Sequence, residues 1–109
     1  MSESNMEKIK EALEPIVVEE LARANEKFPQ FASGHEGYAV IKEEAEETGE
    51  AYQNMENHLT RMWILLRTNG DEEALECVLA VRDRAMDVAA EAIQVAAMCD
   101  KYMDMEECD

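Results

Sequence analysis

Ala74, Val78, Val81, Ala85, Val88, Ala92, Val95, Cys99 and Tyr102 recur in steps of three and four, the repeat of one face of an α-helix. This stripe constrains the fold more than any other feature of the chain. Asp71 stands before it as an expected N-cap, and Glu72 and Glu73 suit the positive end of the helix dipole. Roughly 30 residues of helix is long for a globular chain of 109 residues. Many members of the stripe are small and permit close contact, but a helix this long needs a partner along its whole apolar face. The chain is too short to supply all of it. The expected fold is therefore all-α, an antiparallel bundle of three to five helices completed by a homodimer or homotetramer.

Two further helices are legible upstream. Ser33 followed by Glu36 is a capping-box pair. Beyond it Tyr38, Ile41, Ala45, Thr48, Tyr52, Met55, Leu59 and Met62 again step by three and four. The pattern leaves open a break within 53–57, which would divide a long helix from a shorter one ending at Thr68. The first helix spans about 7–27, with Ile16, Val17, Leu21 and Ala24 as its apolar side. Pro15 enters it as a kink or as the first residue of a fresh helix, so 1–14 reads as an N-terminal arm or a short helix. Pro29, the run Ala32-Ser33-Gly34 and the run Asn69-Gly70-Asp71 are the breaks between helices. Residues 104–109 read as a frayed, solvated tail. No repeat or linker divides the chain, which is expected to be one domain over 1–109.

Acidic residues number 26 against 10 basic ones, a formal net charge of −16. Such a charge repels phosphate backbones and anionic lipid surfaces, which argues against direct nucleic-acid or membrane binding. Hydrophobic content of 47% is too high for a disordered acidic tail. The N-terminal stretch lacks an apolar signal core, and no run is long enough to span a bilayer. The three cysteines, Cys77, Cys99 and Cys108, form no CxxC pair, as expected of a reduced, cytoplasmic protein.

The acids are not evenly placed. On a helix centred on Ile41 and Thr48, Glu43, Glu46 and Glu50 point away, Glu44 lies close to the apolar face and Glu47 sits on its flank. Glu44 and Glu47 are spaced i, i+3 and can reach one point. On the third helix Arg84, Asp87, Glu91 and Gln94 form a polar stripe beside the apolar one. If the helices pack, Glu44 and Glu47 can face Glu91 in a cluster of hard oxygen ligands suited to Mg²⁺ or Mn²⁺. Ion pairing of these acids with Arg61, Arg82 or Arg84 is the equally available structural alternative.

The segment Phe28-Pro29-Gln30-Phe31-Ala32-Ser33-Gly34-His35-Glu36-Gly37-Tyr38-Ala39-Val40-Ile41-Lys42-Glu43-Glu44 and the later block Glu91-Ala92-Ile93-Gln94-Val95-Ala96-Ala97-Met98 resemble MazG-like proteins of the short phage and prophage type. The resemblance spans about residues 16–103. It implies an all-α nucleoside triphosphate pyrophosphohydrolase, in which an ExxE pair and a later ExxD pair hold Mg²⁺ ions. Water attack then releases a nucleoside monophosphate and pyrophosphate. Carried onto this chain, the first pair falls on Glu44 and Glu47, with Glu43 leading an EExxE pattern. The second falls on Glu91 and Gln94, where the family has Asp in the last position. Gln94 can coordinate through its amide oxygen but brings no charge, and Asp87, one turn before Glu91, is the candidate replacement. Glu47 or Glu43 would position the attacking water, and Lys42, Arg84 and His35 are candidate substrate contacts, with Arg61, Arg67 and Arg82 as further cations. There is no P-loop.

Two other readings stand beside this one: a non-catalytic relative that binds nucleotide or metal, favoured by Gln94, and an acidic DNA mimic that occupies a basic protein. His35 is otherwise a helix-entry residue and His58 a surface residue. Trp63 and its neighbours read as core or subunit interface, and the eight methionines as adaptable packing.

Overall fold

A computed structural model describes residues 3–108 of the chain, side chains included for 4–105. It contains three helices: α1, Glu3–Lys27; α2, Gly34–Arg67; and α3, Asp71–Cys108. No strand occurs among the described residues, and the fold is an all-α helical bundle. No helix among the described residues is long and apolar enough to cross a membrane.

The helices are longer and less interrupted than the sequence pattern alone implies. α1 passes through Pro15 without a break, so residues 3–14 are neither an arm nor a separate helix. Pro15 has no N–H to give the carbonyl of Glu11. Both residues are exposed, which leaves that carbonyl open to water. α2 is likewise continuous across 53–57, where the Gln53 side-chain amide donates to Asn57 Oδ1 at 3.0 Å, one turn along the same helix. α3 remains helical through Cys108, and Met105 packs against the core. Residues 104–108 continue the helix; Asp109 lies outside the described residues.

Helix ends explain where the turns fall. Ser33 caps α2 by accepting the Glu36 N–H on its Oγ at 3.2 Å, half of the expected capping box. At the other end of α2 the Gly70 N–H reaches back to the Leu65 carbonyl at 2.8 Å, and Asn69 adopts φ 62°. That is a Schellman turn with asparagine in the left-handed position. The Gly70 carbonyl accepts the Ala74 N–H at 2.8 Å. Gly70 therefore caps α3, and Asp71 occupies the first helical position, where its charge still favours the dipole.

The chain divides into two compact units, residues 1–44 with 92–109, and residues 45–91. In the first, α1, the start of α2 and the end of α3 enclose Val17, Phe31, Ala97 and Met98. Leu21, Ala24, Val40, Ile41, Ile93, Ala96 and Tyr102 pack around them. Burying a side chain the size of Phe31 or Met98 stabilises by roughly 1.5–3 kcal/mol. Lys101 is buried there as well, 5% exposed. Its ammonium donates to the Phe28 carbonyl and lies 4.8 Å from the centre of the Phe31 ring, so one cation ties the α1–α2 linker to α3. No sequence pattern singled out Lys101. The second unit is a hairpin of the rest of α2 and α3, with Ala74 and Cys77 buried.

The first unit also explains two glycines. A Cβ on Gly37 would stand 2.5 Å from Tyr102 Cδ2 and 3.1 Å from Phe31 Cδ2, whereas one on Gly49 would meet nothing within 4 Å. Both lie inside α2, where alanine is favoured over glycine by about 1 kcal/mol. Gly49→Ala should stabilise the protein by about 0.5–1 kcal/mol. Gly37→Ala should lose about 1–2 kcal/mol, because overpacking outweighs the helical gain. Urea denaturation of the two variants beside the parent checks the pair of opposite signs.

Candidate metal centre

Polar groups occupy the seam of the hairpin unit. On α2 the less exposed positions are Glu47, Thr48, Ala51, Met55, His58, Met62 and Leu65; on α3 they are Ala74, Cys77, Ala80, Val81, Arg84, Val88 and Glu91. The buried face of α2 is thus turned by about one position from the apolar stripe. Tyr52 and Leu59, expected on the buried side, are 48% and 50% exposed. His58, read as a surface residue, is half-buried in a groove with Arg61, Glu73, Glu76 and Cys77.

Glu47 and Glu91 meet across this seam. Their carboxylates offer oxygens within 4.8 Å of each other, and Asp87 and Glu50 line the same cleft with Asn54, Ala51 and Ala90. Glu44 stands one turn before Glu47 on α2, the last residue of the first unit. The Glu91 carboxyl is pushed above the usual carboxylate range. Desolvation is the main cause, followed by the charge of Glu47, a hydrogen bond shared with Glu47, and the charges of Asp87 and Glu50. Two half-buried acids side by side are the costly arrangement that a cation relieves.

The donor set fits a hard divalent ion. All donors are carboxylate oxygens, the ligands Mg²⁺ and Mn²⁺ prefer. Two oxygens on opposite sides of one Mg²⁺ stand about 4 Å apart, a separation within the range that Glu47 and Glu91 offer. Asp87 is partly engaged already: its carboxylate lies 3.0 Å from Arg84 Nε, an ion pair whose angle is too bent for a hydrogen bond. Arg84 also pairs with Asp83 at 2.5 Å. Of the expected acid–arginine pairs, Asp87 with Arg84 occurs, and no ion pair to Glu47 or Glu91 occurs among the described residues.

The remaining candidates are placed as follows. Glu43 and Lys42 are exposed on α2, and His35 is exposed in its first turn. Gln94 is half-buried on α3, one turn after Glu91. Glu50 is exposed, as expected, and with the exposed Asn54 it borders the cleft at Glu47 and Glu91; Asn54 carried no charge to single it out in the sequence. Lys101 is committed to Phe28 and Phe31 and is no phosphate ligand. Compared with protein-family models, curated proteins and solved structures, the chain matches none.

The raised Glu91 has a consequence for stability. In the pH window between the ordinary carboxylate value and the raised one, the folded state binds more protons than the unfolded state. Stability is then full below the ordinary value and falls as pH rises through the raised one. Glu91→Gln should raise the melting temperature at neutral pH and flatten its decline as pH rises above the ordinary carboxylate range. Melting curves across that range, without divalent metal, test it. An unchanged slope in the variant contradicts the assignment.

Proposed function

We propose that the chain is a Mg²⁺- or Mn²⁺-dependent nucleoside triphosphate pyrophosphohydrolase of the MazG-like kind, which converts a nucleoside triphosphate to the monophosphate and pyrophosphate. One observation carries this: Glu47 and Glu91, distant in sequence, bring hard oxygen ligands together in a cleft. Glu44, one turn before Glu47, extends the same ligand set. Acidic groups spread evenly over the surface would instead favour a DNA mimic.

Mg²⁺ held there would supply positive charge to the phosphates and make water a better nucleophile. The residues of the chain divide the other tasks. Glu47 and Glu91, with Glu44, would hold the ion as carboxylates. Asp87 adds charge to the cleft as far as Arg84 releases it, and Gln94 offers only a neutral oxygen. Glu43 or Glu47 orients and deprotonates the attacking water. Lys42, His35 and Arg84 are the candidate contacts for the phosphates, with Arg84 reaching them by exchanging Asp87 for the substrate.

Gln94 in place of a carboxylate favours one second reading, a protein that binds metal and nucleotide without turnover. A panel of nucleoside triphosphates incubated with Mg²⁺ or Mn²⁺ separates the two. The enzyme should release monophosphate and pyrophosphate, and Glu47→Gln should reduce the rate by about 100-fold or more. No turnover of any triphosphate under either metal would overturn the catalytic reading.

A further inference from the structure

Of the five asparagines, Asn5, Asn25, Asn54, Asn57 and Asn69, only Asn69 precedes a glycine. The other four lie inside α1 or α2, each followed by a larger residue, Met6, Glu26, Met55 or His58. Asn69 is exposed at the tip of the hairpin unit, outside both helices, and its side-chain amide has no hydrogen-bond partner among the described residues. Gly70 has no side chain to shield its nitrogen. An asparagine followed by glycine in this setting is chemically vulnerable.

The reaction needs only water. The Gly70 amide nitrogen gives its proton to solvent base and attacks Asn69 Cγ. A carbon–nitrogen bond forms, closing a five-membered imide, and the side-chain nitrogen leaves as ammonia. Water then opens the ring on one of two sides. Cleavage between Cγ and the Gly70 nitrogen leaves aspartate on an unchanged backbone. Cleavage between the Asn69 carbonyl carbon and that nitrogen leaves isoaspartate, with the chain running through Cβ. In sum the side-chain NH₂ is replaced by OH, and nothing is oxidised or reduced.

The fold holds back the first step. The Gly70 N–H is committed to the Leu65 carbonyl at 2.8 Å, and the same carbonyl accepts the Thr68 N–H at 3.1 Å and the Thr68 hydroxyl at 3.2 Å. While that bond stands, the nitrogen keeps its proton and faces away from Asn69 Cγ. The turn must open before the ring can close, and exposed turns open at a small fraction of the cost of global unfolding.

The two products are not equivalent. Aspartate tolerates the left-handed conformation that Asn69 holds at φ 62°. Isoaspartate puts an extra carbon into the backbone between α2 and α3, so the turn that returns Gly70 N–H to Leu65 no longer closes in the same register. Glu47 and Glu91 oppose each other only in that register.

We propose that Asn69 is a site of spontaneous deamidation, guarded by the Gly70–Leu65 hydrogen bond, and that its isoaspartyl product disrupts the hairpin turn. The test reads mass and melting, and needs neither metal nor nucleotide. The full-length protein is aged in warm, mildly alkaline buffer, with and without guanidinium chloride, and digested with trypsin. Cleavage after Arg67 and Arg82 gives the peptide 68–82, in which Asn69 is the sole side-chain amide. In denaturant this peptide should gain about 1 Da and become a substrate for an isoaspartyl methyltransferase. In the folded protein the gain should be slower by about 10-fold or more. Asn69→Gly, which suits the left-handed position, should abolish the gain in both. The isoaspartyl chain, separated and refolded, should melt below the Asn69→Asp variant, which should melt close to the parent. No gain in denaturant, or equal rates with and without it, overturns the proposal. So does an isoaspartyl chain that melts with Asn69→Asp, because the extra carbon then leaves the turn intact. The ageing arms use the unaltered protein, so they decide the guarded site even if a variant fails to fold.

Discussion

Glu47 and Glu91 stand the same number of residues either side of Asn69, and the turn at Asn69 is what makes them meet. Asparagine tolerates the left-handed conformation that ends α2, and the Gly70 carbonyl starts α3 at once. With both helices straight and continuous from that point, the register of the hairpin is set. Two carboxylates then oppose each other on the seam, with Asp87 and Glu50 beside them. The resulting repulsion pushes the Glu91 carboxyl above the usual carboxylate range, and the pairing of Asp87 with Arg84 offsets part of it.

The charge of the protein acquires a division of labour from this arrangement. Most acids lie on exposed helical faces, where they are solvated and contribute little to stability. A few sit on the seam of the hairpin, where charge is expensive. A third region, between Asn57 and Gly70, has no acids at all. The three populations occupy different stretches of the same two helices, so an acidic cleft and an apolar flank coexist in one hairpin without sharing residues.

Helix type and number were largely legible in the sequence, because runs such as Ala74 to Tyr102 keep a three-and-four period and Ser33 and Asn69-Gly70 mark the ends. Continuity was not. Pro15 and residues 53–57 read as interruptions because propensity is local, whereas tertiary packing keeps both helices whole. The meeting of Glu47 with Glu91 was legible from their spacing. That Asn54 and the exposed Glu50 border the same cleft was not, because the most apolar face of α2 is not its buried face. In the hairpin unit those two faces differ: Tyr52, Leu59 and Trp63 stay exposed while Glu47 and His58 turn inward. A pattern that averages over the whole helix cannot resolve that rotation. Lys101 was invisible for another reason, since its partner is a backbone carbonyl in a distant linker.

The central claim is that Glu47 and Glu91 form a site whose repulsion a divalent ion relieves. Thermal unfolding with and without Mg²⁺ tests this most directly, because an ion that binds only the folded state must stabilise it, by about 2.7 kcal/mol at a hundred times its dissociation constant. Millimolar Mg²⁺ should raise the melting temperature, EDTA should reverse the rise, and Glu47→Gln should abolish it. A melting temperature indifferent to Mg²⁺, or one that rises equally in Glu47→Gln, would contradict the claim.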